Sequence, residues 1–232
     1  MPVAASDAIR LEPLDGLGSR LRGWASARVV AGITNRRAEP SAWLARFKPQ
    51  ACAEADQVHG AGIADVTGAL TAQVAGCDAL VTDTPGAALR IRTADCLPIF
   101  FADPVRGAVG LAHAGWRGLA ASLPARMVAA LSQVFHSRAD ALQVAVGPSI
   151  GPCCYEVGPE FAQRFGPFVQ EARGRRTCDL AGVAVDQLRR CGVRADRIVQ
   201  TRRCTACETD EWFSLRREGP ETGRLVSFIM LR

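Results

Sequence analysis

Apolar positions along this chain follow two periods. Short uninterrupted β-prone runs mark strands: Arg28 to Thr34, Ala75 to Asp83 entering the turn Thr84-Pro85-Gly86, Gln143 to Val146, and Arg197 to Thr201. Gln57-Val58-His59-Gly60 is a shorter β-prone piece. Leu97 to Ala102 and Ala108 to Ala112 flank turn chemistry at Asp103 to Gly107, so they predict a hairpin whose strands carry Cys96 and His113 to one end. Behind Trp116-Arg117-Gly118 the period changes, and Leu119, Leu123, Met127 and Leu131 recur every four residues as on one face of an amphipathic helix. The order there is strand, Gly-rich turn, helix, and backbone donors at the helix start beside Arg117 would suit an anion.

Ser41 is the expected N-cap of a helix carrying Trp43, Leu44 and Phe47. Further helices are expected near Pro159 to Phe165 and from Leu180 to Cys191, with an arginine-rich loop between them. A final hairpin from Phe213 to Gly219 turns towards Leu225 to Met230. Residues 1–25 are poorly patterned. Strands and helices mix without a regular βαβ repeat, which predicts an α+β fold: a single domain over residues 1–232, with mixed β-sheets layered with helices.

Composition narrows the class. With 48% hydrophobic and 22% charged residues, 232 residues are enough for a sizeable core. No segment approaches the roughly 18 to 20 apolar residues of a membrane span, and no basic start leads into an apolar stretch, so a soluble cytoplasmic protein is expected. Nine cysteines, an odd number in a chain without a secretion signal, read as reduced thiols. A net charge of +5, with arginines scattered apart from Arg173 to Arg176 and Arg202-Arg203, lacks the interleaved aromatics of a nucleic-acid surface. A small anionic substrate accounts for the arginines equally well.

Candidate chemistry centres on His59, Cys96 and His113. A catalytic zinc takes three protein ligands and keeps a position open, and two imidazoles with one thiolate meet that requirement. Only three histidines exist, two of them in Gly-flanked settings that let backbone and substrate approach. His136, after Phe135, reads as a surface or capping residue. The plain alternative is a Cys and a His in structural positions of the core. Cys204-Thr205-Ala206-Cys207 has zinc-ribbon spacing, but a structural zinc needs four ligands, no second such pair exists, and Cys153 and Cys154 are adjacent, which argues against one ion there.

The motifs Gln57-Val58-His59-Gly60, Gly76-Cys77-Asp78-Ala79-Leu80-Val81-Thr82, Thr93-Ala94-Asp95-Cys96-Leu97-Pro98 and His113-Ala114-Gly115-Trp116-Arg117-Gly118 together carry a family resemblance. So do Gly147-Pro148-Ser149-Ile150-Gly151, Tyr155-Glu156-Val157-Gly158, Phe213-Ser214 with Arg216-Arg217, and Thr222-Gly223-Arg224. From residue 28 to residue 232 the chain resembles the bacterial laccase-domain family, also called YfiH-like or multicopper polyphenol oxidoreductase, whose members are described as purine nucleoside phosphorylases. The resemblance implies a zinc held by His59, Cys96 and His113. It also implies phosphorolysis of adenosine, inosine, guanosine and methylthioadenosine, with adenosine deamination as a second reaction. On that reading Cys96, His113 and Asp95 form the catalytic group, Asp95 orienting a ligand or moving a proton. Arg36 and Arg117 would bind phosphate, although Arg117 beside Trp116 could equally stack on it and Asp95 could cap a turn.

Other functions compete. Three histidines are too few for the coppers of a four-copper polyphenol oxidase, which leaves copper as a second choice after zinc at one Cys/His site. A metal-free hydrolase would use Cys96 as nucleophile and His113 as base. Some relatives are described as peptidoglycan editing factors, a role that could use the same pocket.

Overall fold

The structure is a computed structural model that describes residues 10–14, 16–26, 28–68 and 73–232. Among the described residues, a seven-stranded sheet runs in the order β1 (Arg10–Leu14), β2 (Gly18–Arg22), β3 (Val29–Thr34), β15 (Leu225–Leu231), β8 (Ala87–Thr93), β4 (Ala51–Ala55), β6 (Gln73–Val74). A six-stranded sheet runs β14 (Ile198–Gln200), β11 (Gln143–Val146), β9 (Leu97–Asp103), β10 (Ala108–Ala114), β7 (Ala79–Thr82), β5 (Ile63–Asp65). Both are mixed: β4 lies parallel to β8 and β6, β11 parallel to β14 and β5 parallel to β7, while the other pairs in the two sheets are antiparallel. The expected α+β fold with mixed sheets is what the chain forms.

Alternation of side chains across each strand explains the layering. In β9, Leu97, Ile99 and Phe101 join a core with α3 (Leu123–Phe135) and α5 (Leu180–Arg190), while Phe100 and Ala102 point to the opposite core. That second core lies between the sheets, where Ile33, Leu89, Ile91 and Ile229 meet Leu80, Val109 and Leu111. The outer face of the larger sheet presents Val30, Ala88, Phe228 and Met230 to Trp43 and Leu44 of α1 (Pro40–Ala45). The result is helix, sheet, sheet, helices. Strands at the centre are buried on both faces, so they read in sequence as continuous apolar runs without alternation.

Several expectations shift. Glu39, not Ser41, caps α1: its carboxylate accepts from the Ser41 and Ala42 N–H groups. The four-residue periodicity behind Trp116 spans two helices, α2 (Trp116–Ala120) and α3, divided at Ser122, which sits at φ 59° directly ahead of Leu123-Pro124. The arginine-rich loop is a hairpin of β12 (Val169–Ala172) and β13 (Arg175–Cys178), turned at Arg173-Gly174 with both residues at positive φ. No terminal hairpin forms. Ser214 and Glu218 close a helical turn, α6 (Leu215–Glu218), and β15 inserts between β3 and β8 instead. The unpatterned segment 1–25 holds the pair β1–β2, while its first nine residues lie outside those described. His136 ends α3 at φ 57°, the capping position. No helix among the described residues is long and apolar enough to cross a membrane.

Candidate metal centre

The three candidate donors come together where the chain crosses between sheets. His59 lies in the connection from β4 in one sheet to β5 in the other, Cys96 ends the crossing from β8 to β9, and His113 is the penultimate residue of β10. Pairing of Pro98 with His113 and Leu97 with Ala114 puts Cys96 at the same strand end as His113. Ligand atoms of His59, Cys96 and His113 all lie within 4.8 Å of one another, and the two imidazoles meet edge to face at 4.8 Å. His113 is buried and His59 exposed, so the cluster has one open side.

His59 is not in a strand, as its β-prone neighbours predicted. Gln57 and His59 both adopt positive φ, 64° and 59°, in a tight loop that an L-residue adopts only when something holds it. Asp78 does this. Its fully buried carboxylate accepts from the His59 N–H at 2.9 Å and the Gly60 N–H at 2.6 Å. One of its oxygens also receives His113 Nδ1 at 2.9 Å, while the Asp78 carbonyl accepts the His113 backbone N–H at 2.8 Å. An Nδ1–H committed to a carboxylate leaves the Nε2 lone pair of His113 free for a ligand. In the sequence Asp78 stands out only as part of the motif Gly76-Cys77-Asp78-Ala79-Leu80-Val81-Thr82. The available signal was a carboxylate at the mouth of the apolar run Ala79-Leu80-Val81, which has to be paired if it is buried.

Glycines supply the space. A Cβ on Gly115 would lie 3.1 Å from Cys96 Sγ, and one on Gly118 would lie 2.9 Å from the Gly60 carbonyl, so α2 approaches the His59 loop only because both lack side chains.

Electrostatics bind the donors to one another. Burial pushes the Cys96 thiol up, but hydrogen bonds and positive charge from His113 and His59 outweigh it and bring the pKa to about 7. For His113, burial opposes the charge, yet the Asp78 and Cys96 partners raise its pKa to about 9. Burial raises the Asp78 carboxyl, and its hydrogen bonds from His113, Gly60 and His59 overcome this and leave it below the usual range. A sulfur and two nitrogens with an oriented imidazole and an open side fit a zinc with three protein ligands.

The other sequence candidates divide. Asp95 lies in the same pocket, buried and at φ 85°, but its carboxylate is committed elsewhere: Oδ1 accepts from Thr205 Oγ1 at 2.6 Å and Oδ2 from the Arg216 N–H at 2.7 Å. The carboxylate that orients a histidine is therefore Asp78 rather than Asp95. Arg117 lines the pocket with its guanidinium 4.5 Å over the Trp116 ring. Arg36 does not reach it. Its guanidinium is held by the Thr209 carbonyl and by Glu218 at 2.8 Å, and stands 5.0 Å over Phe213. Arg216, which the sequence reading left without a role, lines the pocket and lies 5.0 Å over Tyr155 while donating to the Glu156 carbonyl at 2.8 Å. The cavity measures about 370 Å³, and Trp116, Tyr155 and Leu180 form much of its apolar wall. A space of that size and lining suits a small-molecule ligand.

The expectation that Cys204-x-x-Cys207 has no partners is overturned. Cys153 and Cys154 stand beside that pair, and all four sulfurs fall within 4.8 Å of one another.

Comparison with known proteins adds to this. The family described as Multi-copper polyphenol oxidoreductase laccase matches residues 29–232. Purine nucleoside phosphorylase YlmD of Geobacillus stearothermophilus is 37% identical over 214 residues, covering 85% of this chain and 78% of that one. Adenosine deaminase RL5, from an unknown prokaryotic organism, is 35% identical over 167 residues, 68% of this chain and 63% of that one. The crystal structure of YlmD from Geobacillus stearothermophilus matches with a TM-score of 0.85 at 31% identity, over 97% of this chain and 99% of that one.

Proposed function

This chain belongs to the multi-copper polyphenol oxidoreductase laccase family, and from that premise we propose that it is a zinc-dependent purine nucleoside phosphorylase with adenosine deaminase activity. The observation that carries the reading is the convergence of His59, Cys96 and His113, with His113 oriented by Asp78, on the edge of a pocket of about 370 Å³. Names of relatives as purine nucleoside phosphorylase and adenosine deaminase support the same class.

His59, Cys96 and His113 would hold the zinc, which when bound supplies Lewis-acid polarisation at their open side. The rest falls to this chain's own residues. Asp78 keeps the Nδ1 proton on His113, and Gly115 keeps the approach to Cys96 clear. Trp116 and Tyr155 are the aromatic parts of the wall against which a purine would pack. Arg117 and Arg216 are the cations that reach the cavity and would bind phosphate, in place of Arg36. Asp95 is assigned a positioning role, since both its oxygens are engaged. In phosphorolysis an oxygen of hydrogen phosphate bonds to C1′ of the ribose as the bond to purine N9 breaks, and the departing purine takes the proton that the phosphate gives up. In deamination a water oxygen adds to C6 and the amino nitrogen leaves as ammonia.

Purified protein incubated with adenosine, inosine, guanosine and methylthioadenosine, with and without phosphate, tests this. Free base and ribose 1-phosphate, or 5-methylthioribose 1-phosphate from methylthioadenosine, appearing only with phosphate support it, whereas inosine as the only product from adenosine would remove the phosphorolysis half. A second reading follows from the depressed Cys96 thiol, which is poised as a nucleophile beside His113. Full activity after removal of zinc by a chelator would favour that metal-free route.

A further inference from the structure

A second group of donors lies beside a neighbouring cavity that shares Ile150 with the first, outside the chemistry described so far. The loop at 147–158 carries Cys153 and Cys154, and the stretch after β14 carries Cys204 and Cys207. Cys153 Sγ is 3.6 Å and Cys154 Sγ 3.4 Å from Cys207 Sγ, and no pair among the four sulfurs exceeds 4.8 Å. All four are free thiols. Four sulfurs at about 2.3 Å from one ion form a tetrahedron with edges of about 3.8 Å. No edge of the observed cluster exceeds that figure by more than about 1 Å, and the two edges to Cys207, 3.6 and 3.4 Å, lie close to it.

Adjacent cysteines share the site because of the local backbone. In an extended strand Cys153 and Cys154 would point to opposite faces, but here the Cys154 and Tyr155 N–H groups both return to the Gly151 carbonyl, at 3.0 and 2.9 Å. In such a helical turn, successive side chains diverge by roughly 100°, and both reach the same side. Cys207 and Glu208 N–H groups close a matching turn on the Cys204 carbonyl. The Gly151 N–H donates to Cys204 Sγ at 3.2 Å, an amide aimed at sulfur of the kind that stabilises a thiolate. A Cβ on Gly151 would lie 3.3 Å from Cys153 Sγ, so glycine leaves that sulfur its place.

Apolar packing does little to hold these loops. Their local core has only Ile150, Cys204 and Ala206 as buried members. Nevertheless the two segments lie side by side, with Ser149 bridged to Cys204, and they reach the other site directly. Thr205, between the two cysteines of the pair, donates to Asp95, and the Ile150 N–H donates to the Asp95 carbonyl at 2.9 Å. Asp95 immediately precedes Cys96.

We propose that Cys153, Cys154, Cys204 and Cys207 bind one zinc ion in a closed tetrathiolate site, which staples the two loops together and holds Asp95 in place beside Cys96. Four soft thiolates in tetrahedral reach select zinc or a single iron, and the sulfurs are too close together to enclose an iron–sulfur cluster. With all four positions taken by protein, the ion has no place for substrate, and its part is structural. The inference does not depend on the nucleoside chemistry.

The full chain with Cys96→Ser isolates the second site. It is expected to retain about one zinc per chain, and X-ray absorption at the zinc edge should give four sulfur neighbours at about 2.3 Å. Adding Cys204→Ser and Cys207→Ser should remove that zinc. Should the combined variant fail to fold, the Cys96→Ser chain stripped by chelator and titrated with cobalt gives the same answer, through strong thiolate-to-cobalt absorption saturating at one equivalent. Absence of stoichiometric metal from Cys96→Ser, a shell containing nitrogen or oxygen, or one iron in place of zinc would each overturn the proposal. So would a disulfide, read as two thiols missing on titration in denaturant without reductant. Loss of metal from the His59 site alone would leave zinc in Cys96→Ser, so failure of the functional reading is separable from failure of this one.

Discussion

Asp78→Asn changes one charge and almost no volume, which makes it the sharpest probe of the site. The native carboxylate accepts three hydrogen bonds, from His59 N–H and His113 Nδ1 on one oxygen and from Gly60 N–H on the other. An amide has one acceptor atom. If its oxygen faces His59 and His113, its NH2 is driven against the Gly60 N–H, which lies only 2.6 Å from the native oxygen. If it is flipped, the NH2 meets the His59 N–H and forces His113 to accept at Nδ1, placing the proton on Nε2, where a ligand should bind. Either orientation leaves a buried donor unpaired, at a cost of about 1–3 kcal/mol. Loss of the partner that orients a ligating histidine typically weakens metal affinity 10- to 100-fold, or about 1.4–2.7 kcal/mol. The expected result is zinc affinity reduced by roughly that factor in competition with a chromophoric chelator. Urea unfolding of the metal-free protein should show an additional loss of stability. Asp95→Asn should leave the affinity of the His59 site within a few-fold of wild type, because Asp95 bonds to Thr205 and Arg216 instead. Wild-type affinity in Asp78→Asn would refute the assignment of the orienting carboxylate.

Four further outcomes follow from the geometry. In metal-free protein, alkylation of Cys96 followed by peptide mass spectrometry should rise with a midpoint near pH 7, and in His113→Ala the midpoint should move upward because burial is then less opposed. The linked stability has two limbs: the Cys96 share, with a depressed pKa, is complete above the unfolded value of about 8.5 and lost as pH falls through 7, while the His113 share, with a raised pKa, is complete below about 6.5 and lost as pH rises through 9. Across about pH 7 to 8.5 the rising Cys96 share opposes the falling His113 share, so melting temperatures of metal-free protein should change little there, and Cys96→Ser, which removes the rising share, should leave a decline with increasing pH. Gly115→Ala puts a methyl 3.1 Å from Cys96 Sγ at an ordinary φ of −78°, so circular dichroism should stay native while zinc affinity and turnover drop by about tenfold, as for a displaced ligand. Arg117→Ala should raise the KM for phosphate about tenfold, the loss of one charge-assisted hydrogen bond, whereas Arg36→Ala should leave it unchanged because Arg36 is tied to Glu218 and Thr209.

Much of this protein can be read along its chain. The hairpin of β9 and β10 is legible because its apolar runs and its Asp103 to Gly107 turn are local, and that alone places Cys96 and His113 at one strand end. Helix α5 and the terminal strand are legible for the same reason. What depends on contacts between distant segments is not. Local pattern makes β15 one arm of a hairpin, yet it completes the larger sheet between β3 and β8, more than a hundred residues away, because its two apolar faces find a core on either side there. The positive φ of His59 is held by Asp78, nineteen residues on, so local propensity pointed to a strand. Arg36 and Arg216 looked alike as arginines near motifs, and only the docking of α6 decided that one is tied to Glu218 and the other lines the pocket. The two cysteine pairs, fifty residues apart and differently spaced, gave no sign of one another until two loops lay side by side. Residue types and local periodicity specify which donors exist and which elements carry them, whereas a site made of side chains from three crossings and a strand end exists only once the sheets have packed and closed the distances between them.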